Sequence, residues 1–542
     1  MKQIRTALIA IIVATLFAAA GCSQSRPGAY TIKSSGSFVL PLYQGTKVNA
    51  IMFTPVTDNP NETFPSIIMI SSWSMSEYEY YVQGKRFAEE GYNVLMYDPR
   101  GWLDGELEIA SDKDVNDLKT AIDWLLKNAK VKMGADGKPV LAAGGISYGS
   151  VICGLTASQD DRIKVLFALS SMGDARRAMF DQDTAHQLMM WLLVKTGEWK
   201  GRLSKEVKDK MDDAFNNRNI EEQRAWLSKR SPMNYLETFN KKNIPVYLSI
   251  NMFDELFWGN SIVDFFSRLT VPKRLDMNLG DHAQSESLGL LGFYEGSQPW
   301  NATLEWLDYW LKGKDNGVLK KPKVTMVVAR SKVREEFENW PSARVSTQSL
   351  YLAPRPRESF AYGELVEKPI DSPQVPFNTI NSGKISGISA GLPLVSYPLM
   401  GHTPIQVRTW LPGVRDSRSI VYTTPSLARP MKIRGVPRLN VWIEPSRPQA
   451  QIIAHLFDVN SAGIATLITH GPATLHSAKP NEPVQLSLEL CIISYDVPIG
   501  HRLALAIDTY DPLYNPPTSE PYRIKFVYGK NHQSNIVVPI MK

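Results

Sequence analysis

From residue 64 onward, apolar and polar residues alternate in a pattern typical of a layered α/β fold. Short apolar runs such as FPSIIMI, NVLMYD and PVLAAGG are separated by stretches with helical periodicity such as DVNDLKTAIDWLLKN. Runs of this kind indicate parallel strands buried on both faces, with helices covering the sheet. The runs resume with IKVLFALSS, IPVYLSINM and KRLDMNLGDH. The pattern therefore predicts a mostly parallel sheet, with ligand chemistry gathered at the carboxyl ends of its strands.

Two further segments have a different pattern. Residues 174–242 are helical in periodicity and rich in Met, Trp and charged residues, which predicts a helical cap over the sheet. After residue 320 the runs become short and alternating, with frequent Pro and Gly, as in PRLNVWIEPS and HRLALAIDTY. Such spacing predicts an all-β sandwich of jelly-roll type. We therefore expect an α/β domain over residues 23–320 and a jelly-roll domain over residues 321–542.

The first 22 residues have the layout of an export signal. Lys2 and Arg5 precede an apolar run over residues 7–20 that is too short to be a convincing membrane-spanning helix. Cys22 follows Ala-Ala-Gly, and this junction resembles the lipobox of bacterial lipoproteins, in which the cysteine becomes the acylated first residue. The resemblance implies a lipid anchor in the cell envelope, and Ser23 favours the outer membrane, facing the periplasm. An ordinary cleaved signal with an incidental Cys22 is the alternative.

Composition and charge exclude several functional classes. The net charge is only +6 over 542 residues, and the notable basic cluster, residues 320–323, is too short to follow a nucleic-acid backbone. The cysteines beyond the signal, Cys153 and Cys491, lie in apolar surroundings and are interpreted as small buried residues rather than a disulfide. No cluster has metal-ligand spacing, and no glycine-rich phosphate motif follows a strand. We therefore expect no nucleic-acid partner, no metal and no cofactor.

The stretch AAGGISYGSVICG, residues 142–154, carries the candidate chemistry. An apolar run consistent with a buried strand precedes Ser147, and a helical run of small residues follows it. A serine on such a sharp strand-to-helix turn is the nucleophile elbow of the α/β hydrolases, where flanking glycines allow close backbone approach. The predicted fold is therefore an α/β hydrolase fold followed by a jelly-roll, with Ser147 as the nucleophile.

A serine nucleophile needs a base and an acid that orients the base, and in this fold they follow the serine in the order acid, histidine. Of the eight histidines, His186 lies in the predicted cap and six lie in or near the β-rich half. His282, directly after the run KRLDMNLG, is therefore the predicted base. The acid should follow the preceding strand, where Asp254 is the first candidate and Glu255 the alternative.

The oxyanion of the tetrahedral intermediate needs two donors that are already in position. The backbone N–H of Tyr148, next to the nucleophile, is the first. The second is expected in the loop after an early strand, with sequence SSWSMSEYEYY. Trp73 is the predicted donor there and Ser74 is the alternative.

Several motifs together resemble the cocaine esterase / Xaa-Pro dipeptidyl-peptidase group of serine hydrolases. They are the Ser147-Tyr148 elbow, the junction WLDYWLKGKDNGV leading to ENWPSARVSTQSLYLA, and the β-rich signatures GVPRLNVWIEPS and DVPIGHRLALAIDTYDPLYNPP. The resemblance spans nearly the whole mature chain. It implies hydrolysis of esters, acylated β-lactam side chains, amides or Xaa-Pro peptides by a triad of Ser147, Asp254 and His282. One departure is Gly149, two residues after the serine, because much of the group has its glycine at the position of Ser150.

The sequence therefore predicts a serine hydrolase that cleaves ester or amide bonds through an acyl-enzyme in the cell envelope. An Xaa-Pro dipeptidyl-peptidase is the alternative within the enzyme class, and it would need acidic residues for a substrate ammonium and a small apolar pocket for proline. A catalytically silent surface protein that binds through its jelly-roll is the alternative from another class, because fold alone does not fix function.

Overall fold

The structure is a computed structural model that describes residues 29–292, 297–356, 361–391 and 406–542. The expected export signal over residues 1–22, with Cys22, lies outside the described residues. Within those described ranges, no helix is long and apolar enough to cross a membrane.

The N-terminal half is built on one sheet of ten strands among the described residues, in the order β1-β2-β4-β3-β5-β6-β7-β8-β9-β10. Its strands are β1 (Ile32–Pro41), β2 (Lys47–Pro55), β3 (Ser66–Ile70), β4 (Asn93–Tyr97), β5 (Leu141–Ile146), β6 (Ile163–Leu169), β7 (Val246–Asn251), β8 (Lys273–Asn278), β9 (Val324–Val327) and β10 (Arg334–Phe337). Neighbouring strands between β4 and β9 pair in parallel, and antiparallel strands flank them at both edges. The predicted mostly parallel sheet is confirmed.

Helices cover both faces of this sheet and extend above it. They are α1 (Tyr81–Glu89), α2 (Asp112–Asn128), α3 (Ser147–Gln159), α4 (Ala175–Met179), α5 (Gln187–Lys200), α6 (Lys205–Phe215), α7 (Ile220–Lys229), α8 (Leu236–Lys242), α9 (Gly259–Arg268), α10 (Gln284–Leu290) and α11 (Gln298–Lys312). Helices α4 to α8 occupy the segment between β6 and β7, where the sequence predicts a cap. The strands of the sheet centre, such as β3 and β5, are buried along their whole length, which explains why they lack alternating polarity.

The C-terminal half is an all-β sandwich, as predicted. Its strands are β11 (Val345–Ala353), β12 (Gly363–Val366), β13 (Phe377–Asn381), β14 (Arg408–Trp410), β15 (Ile420–Thr423), β16 (Met431–Gly435), β17 (Arg438–Pro445), β18 (Ala450–Val459), β19 (Ile464–Leu475), β20 (Val484–Glu489), β21 (Ile493–Val497), β22 (Arg502–Asp508), β23 (Arg523–Val527) and β24 (Asn535–Met541). The first sheet continues past the boundary expected at residue 320, because β9 and β10 belong to it. Their runs of four residues are too short for sequence pattern to assign them to one sheet or the other.

The sandwich packs directly against the loops and helices that follow β6 and β7. Asn260 in α9 donates from Nδ2 to the carbonyl of Leu490 at 3.0 Å and accepts from the backbone N–H of Ile492 at 2.7 Å. Gln182 donates to the carbonyl of Pro472 at 2.8 Å and accepts from the N–H of Glu489 at 2.6 Å. Loops at the carboxyl edge of the first sheet are thus held by main-chain groups of the sandwich.

Candidate active site

Ser147 stands on a tight turn between β5 and α3, with its backbone in the left-handed region at φ 54°. Close packing against the end of β3 makes this turn narrow. A Cβ on Gly149 would lie 1.9 Å from the carbonyl oxygen of Ile70, so only glycine fits there. Gly145 has φ 154°, and a Cβ there would lie 2.9 Å from the same oxygen. The two glycines of the pattern GISYG are therefore required by the approach of β3.

Two side chains support the elbow from behind. The buried hydroxyl of Tyr80 accepts from the N–H of Ile146 at 2.8 Å and donates to the carbonyl of Ile70 at 3.1 Å, joining β5 to β3. Ser150 donates from Oγ to the carbonyl of Ser147 at 2.5 Å. The residue at position 150, where much of the family that this chain resembles has glycine, thus adds a side-chain hydrogen bond to the carbonyl of the nucleophile.

The structure brings Ser147, His282 and Asp254 into one hydrogen-bonded chain. His282 Nε2 lies 2.7 Å from Ser147 Oγ, and His282 Nδ1 lies 2.7 Å from Asp254 Oδ2. Because an ionised carboxylate only accepts, Nδ1 carries a proton and Nε2 is left to accept from the serine hydroxyl. Burial lowers the pKa of His282, but the charge and hydrogen bond of Asp254 outweigh it, and the pKa is raised above its ordinary value. This is the geometry of a hydroxyl paired with a general base.

Asp254 is aimed by the backbone of its own turn. Its Oδ1 accepts from the N–H groups of Leu256 at 2.9 Å and Phe257 at 2.8 Å, which leaves Oδ2 for His282. The alternative acid, Glu255, faces away from His282, and its Oε1 lies 3.0 Å from His470 Nε2 in the sandwich. Asp254, rather than Glu255, therefore stands at the position that orients the base.

Asp281 fastens the loop of His282 to the turn of Asp254. Its Oδ1 accepts from the N–H of His282 at 2.7 Å and from the N–H of Glu255 at 3.4 Å. The loop itself is sharply bent, with Gly280 at φ 128° and Ala283 at φ 58°. Asp281 thus has a structural role, since its carboxylate holds backbone groups of both loops.

Trp73 and Tyr148, the residues expected to supply the oxyanion donors, line the same cavity as Ser147. Tyr148 is in the first turn of α3, where backbone N–H groups have no acceptor within the helix. Trp73 follows β3, and its indole packs edge-to-face on the Tyr148 ring with centroids 5.3 Å apart. The indole Nε1 donates to the carbonyl of Leu193 at 3.0 Å, so the Trp73 side chain is committed to the cap. The role of the Trp73 or Ser74 backbone stays a prediction.

A narrow, almost wholly apolar cavity of about 60 Å³ adjoins Ser147 beneath the cap. Its wall combines residues of α3, the cap helices and the turn after Asp254: Trp73, Ile109, Ala110, Ser147, Tyr148, Val151, Met172, Ala175, Met179, Phe180, Met190, Leu193, Lys210, Met211, Ala214, Gln223, Trp226, Leu227, Arg230, Leu256 and Phe257. Sequence reasoning missed this wall, since the Met- and Trp-rich segment predicts a helical cap but not a cavity beneath it. Apolar residues that line a cavity and those that fill a core have the same helical spacing.

The charged members of this wall are cations that are already partnered. Arg230 donates from Nε to the carbonyl of Ile109 at 2.8 Å, and its guanidinium lies 3.9 Å above the Trp226 ring. Lys210 is paired with Glu222 at 3.0 Å. Neither Asp nor Glu lines this cavity among the residues that the structure describes. The cavity thus offers an apolar surface to a group bound at Ser147, with no carboxylate to receive a substrate ammonium.

Both halves of the chain match models of one protein family. Residues 44–284 match the model of the X-Pro dipeptidyl-peptidase (S15) family, and residues 316–536 match that of the X-Pro dipeptidyl-peptidase C-terminal non-catalytic domain. A protein of Bacillus cereus, provisionally assigned as a Xaa-Pro dipeptidyl-peptidase, is 21% identical over 498 residues, which cover 85% of this chain and 77% of the relative. A Bacillus anthracis protein with the same provisional assignment is 21% identical over 500 residues, which cover 85% of this chain and 75% of the relative.

Solved structures share the architecture along almost the whole chain. An α-amino acid ester hydrolase matches with a TM-score of 0.70 at 14% identity, covering 96% of this chain and 98% of its own. An aminopeptidase from a marine sediment Thaumarchaeota archaeon matches with a TM-score of 0.69 at 14% identity, and the match covers 97% of this chain and 99% of the aminopeptidase. A CocE/NonD family hydrolase from Staphylococcus aureus matches with a TM-score of 0.69 at 12% identity, and the match covers 94% of each chain. At these identities the likeness concerns the fold, which is an α/β hydrolase followed by a β-sandwich.

Proposed function

Because this chain belongs to the X-Pro dipeptidyl-peptidase (S15) family and is a serine hydrolase, we propose that it cleaves esters or amides with Ser147 as nucleophile, His282 as base and Asp254 as orienting acid. The observation that carries this proposal is the continuous chain of two 2.7 Å contacts from Ser147 through His282 to Asp254. Family membership also disfavours the alternative of a catalytically silent binding protein.

The reaction proceeds in two acyl transfers. His282 Nε2 takes the hydroxyl proton while Ser147 Oγ bonds to the carbonyl carbon, and the oxyanion is stabilised by the Tyr148 N–H and a second donor near Trp73. The imidazolium then gives its proton to the departing alcohol or amine, which leaves the acyl group on Ser147. Water attacks this acyl-enzyme, His282 takes a proton from the water and returns it to Ser147 Oγ, and the carboxylic acid is released.

The apolar cavity supports an acyl group that is uncharged and hydrophobic. A free α-ammonium would be desolvated there without a carboxylate on the wall to receive it, which is costly. An aliphatic or aromatic acyl chain would instead bury apolar area against Met and Trp side chains. The favoured substrate class is therefore an ester or amide of an apolar acid.

Xaa-Pro dipeptidyl-peptidase activity is the second candidate. It is favoured by the two family models, which are both described by that activity, and by the provisionally assigned Bacillus relatives. A substrate of this kind would have to place its ammonium beyond the cavity wall, on a carboxylate that does not line the cavity.

Steady-state rates on matched chromogenic substrates separate the two candidates. We expect turnover of p-nitrophenyl esters, with kcat/KM rising from acetyl to butyryl as apolar area is buried, because a cavity of about 60 Å³ has room for a short acyl chain. Alanyl-prolyl anilide should react at least about 100-fold more slowly, because an unpaired ammonium would be left in the cavity. Ser147→Ala is the control for background hydrolysis. Exclusive turnover of the Xaa-Pro anilide would reject the ester assignment and leave the dipeptidyl-peptidase.

The location in the cell envelope is a separate proposal, supported by the sequence of residues 1–22. An acyl chain on Cys22 would tether the hydrolase to a membrane, with the outer membrane favoured by Ser23. We expect the wild-type protein to sediment with membranes and Cys22→Ala to lose that behaviour. Release of the wild type into the soluble periplasmic fraction would reject the anchor without affecting the assignment of the reaction.

A further inference from the structure

A second histidine–carboxylate pair lies behind the turn of Asp254, and it crosses from one half of the molecule to the other. Glu255, the residue after Asp254, has its Oε1 3.0 Å from Nε2 of His470 in β19. The other ring nitrogen of His470, Nδ1, lies 2.7 Å from the hydroxyl of Tyr514, which follows β22. All three side chains are buried. They form a row of hydrogen bonds from the sandwich to the residue beside Asp254.

The direction of these hydrogen bonds follows from the groups involved. An ionised Glu255 only accepts, so the proton between it and His470 sits on Nε2. In the neutral ring Nδ1 then accepts from the Tyr514 hydroxyl, and in the protonated ring it donates to that oxygen. Burial lowers the pKa of His470, but the charge and hydrogen bond of Glu255 outweigh it and raise the pKa above its ordinary value. The donation to Glu255 is therefore kept in both protonation states of the ring.

The backbone of Glu255 is fixed as firmly as its side chain. Its carbonyl accepts from Nδ1 of the buried His186 at 3.1 Å, and its N–H points to Asp281 at 3.4 Å. The next two N–H groups, of Leu256 and Phe257, are those that hold Asp254 Oδ1. The orientation of the Asp254 carboxylate is thus set by a turn whose second residue is held by the sandwich.

We propose that His470, with Tyr514 behind it, is a positioning residue: through Glu255 it fixes the turn that aims Asp254 at His282, so that the C-terminal sandwich completes the active site. The inference rests on the proposed roles of Ser147, His282 and Asp254. His470 is not a catalytic residue, because the groups it contacts are Glu255 and Tyr514 rather than the reacting atoms. The C-terminal module, which the family model describes as non-catalytic, would then contribute to the rate of catalysis in this protein.

Loss of this support should lower the rate of the chemical step. Without His470, the Glu255 carboxylate would lose its shorter donor and keep Trp258 Nε1 at 3.4 Å, which favours rotation of the side chain or entry of water. Because the backbone of Glu255 is part of the turn of Asp254, we expect either response to displace that turn, and a displacement of about 1 Å at a catalytic group costs on the order of 100-fold in rate. His470 and Glu255 are not among the residues that line the cavity. We therefore expect kcat to fall more than KM rises.

The test compares four full-length variants with the wild type, using the rate of Ser147 modification by a fluorophosphonate and the kinetics on a p-nitrophenyl ester. In His470→Leu we expect the modification rate and kcat to fall on the order of 10- to 100-fold. In His470→Gln, whose amide can donate to Glu255 and accept from Tyr514, much of this loss should be restored. Tyr514→Phe, which removes a single hydroxyl, should lose about 3-fold or more, and it keeps the test informative if His470→Leu does not fold. Tyr422→Phe is the matched control for the loss of a buried hydroxyl in the sandwich, because Tyr422 is as buried as Tyr514 and its hydroxyl lies 2.7 Å from that of Tyr528.

A double-mutant cycle separates positioning from general destabilisation. If His470 acts through Asp254, His470→Leu should add less than about 3-fold to the loss caused by Asp254→Asn, whereas independent effects would multiply. The inference is overturned if folded His470→Leu or Tyr514→Phe retains the wild-type modification rate, if Tyr422→Phe loses as much as Tyr514→Phe, or if the losses multiply. Failure of the wild-type protein itself to react with the fluorophosphonate would instead reject the proposed function.

Discussion

Ser147 holds a backbone conformation that L-residues seldom adopt, and its immediate neighbours stabilise it. A non-glycine residue in the left-handed region costs about 1–3 kcal/mol, and Ser147 has φ 54°. Gly149 permits the close approach of Ile70, Tyr80 bonds both strands beneath the turn, and Ser150 bonds the carbonyl of Ser147. This strained turn holds Ser147 Oγ 2.7 Å from His282 Nε2, where the hydroxyl can be deprotonated.

The pH dependence of kcat/KM tests the electrostatics of His282. Only the neutral ring accepts the serine proton, so activity is present above the pKa of His282 and is lost as the pH falls through it. Because Asp254 raises this pKa despite the opposing effect of burial, the acid limb should have its midpoint above about 6.5, the ordinary value for histidine. The measurement is kcat/KM for a neutral ester from about pH 5 to about pH 9, a range that brackets the ordinary pKa of histidine.

Asp254→Asn provides the comparison for this profile. Burial lowers the pKa of His282, and the charge of Asp254 is the main effect that opposes it. Without that charge the pKa of His282 should fall, so the midpoint of the acid limb should move to lower pH, while the rate falls about 10,000-fold. A wild-type midpoint below about 6.5, or the same midpoint in both proteins, would contradict this account of His282.

At the scale of elements, the elbow could be predicted because strand, turn and helix are contiguous in AAGGISYGSVICG, and each part has its own sequence pattern. The cavity could not be predicted, because cap residues such as Met190 and Met211 meet Ser147 only after α4 to α8 have folded over the sheet. The continuation of the first sheet into β9 and β10 was missed because runs of four residues carry too little periodicity. Local patterns identify elements well, and contacts between distant elements leave no such pattern.

Two adjacent methionines of α5 test whether this cavity binds the acyl group. Met190 lines the cavity, whereas Met189 is equally buried on the same helix and does not line it. Met190→Trp should reduce the space available, and we expect kcat/KM for butyryl esters to fall about 10-fold or more relative to acetyl esters. The measurement is the ratio of kcat/KM for the two esters in each variant.

Met189→Trp is the control for the general cost of a larger side chain in the cap. It should leave the butyryl-to-acetyl ratio of kcat/KM within about 2-fold of the wild type, even if stability falls by about 1–3 kcal/mol. Equal changes of the ratio in both variants would place the acyl group outside this cavity.

At the scale of the whole molecule, the two halves meet at the residue beside the orienting acid. Contacts such as those of Asn260 with Leu490 and Ile492, and of His470 with Glu255, link positions more than 200 residues apart in the chain. Sequence motifs predicted that both halves exist, since each half has its own signatures. The motifs did not indicate that Glu255, the alternative acid, is held by the sandwich. Glu255 and His470 are 215 residues apart, and no sequence motif contains both of them.

The central claim is that Ser147 is the nucleophile of a working triad, and covalent modification by a fluorophosphonate tests it most directly. After reaction of the full-length protein, we expect peptide mass spectrometry to find the adduct on Ser147, no adduct in Ser147→Ala, and a modification rate at least about 1,000-fold lower in His282→Ala. An adduct on another residue, an unreactive wild type, or a His282→Ala protein that reacts at the wild-type rate would contradict the account.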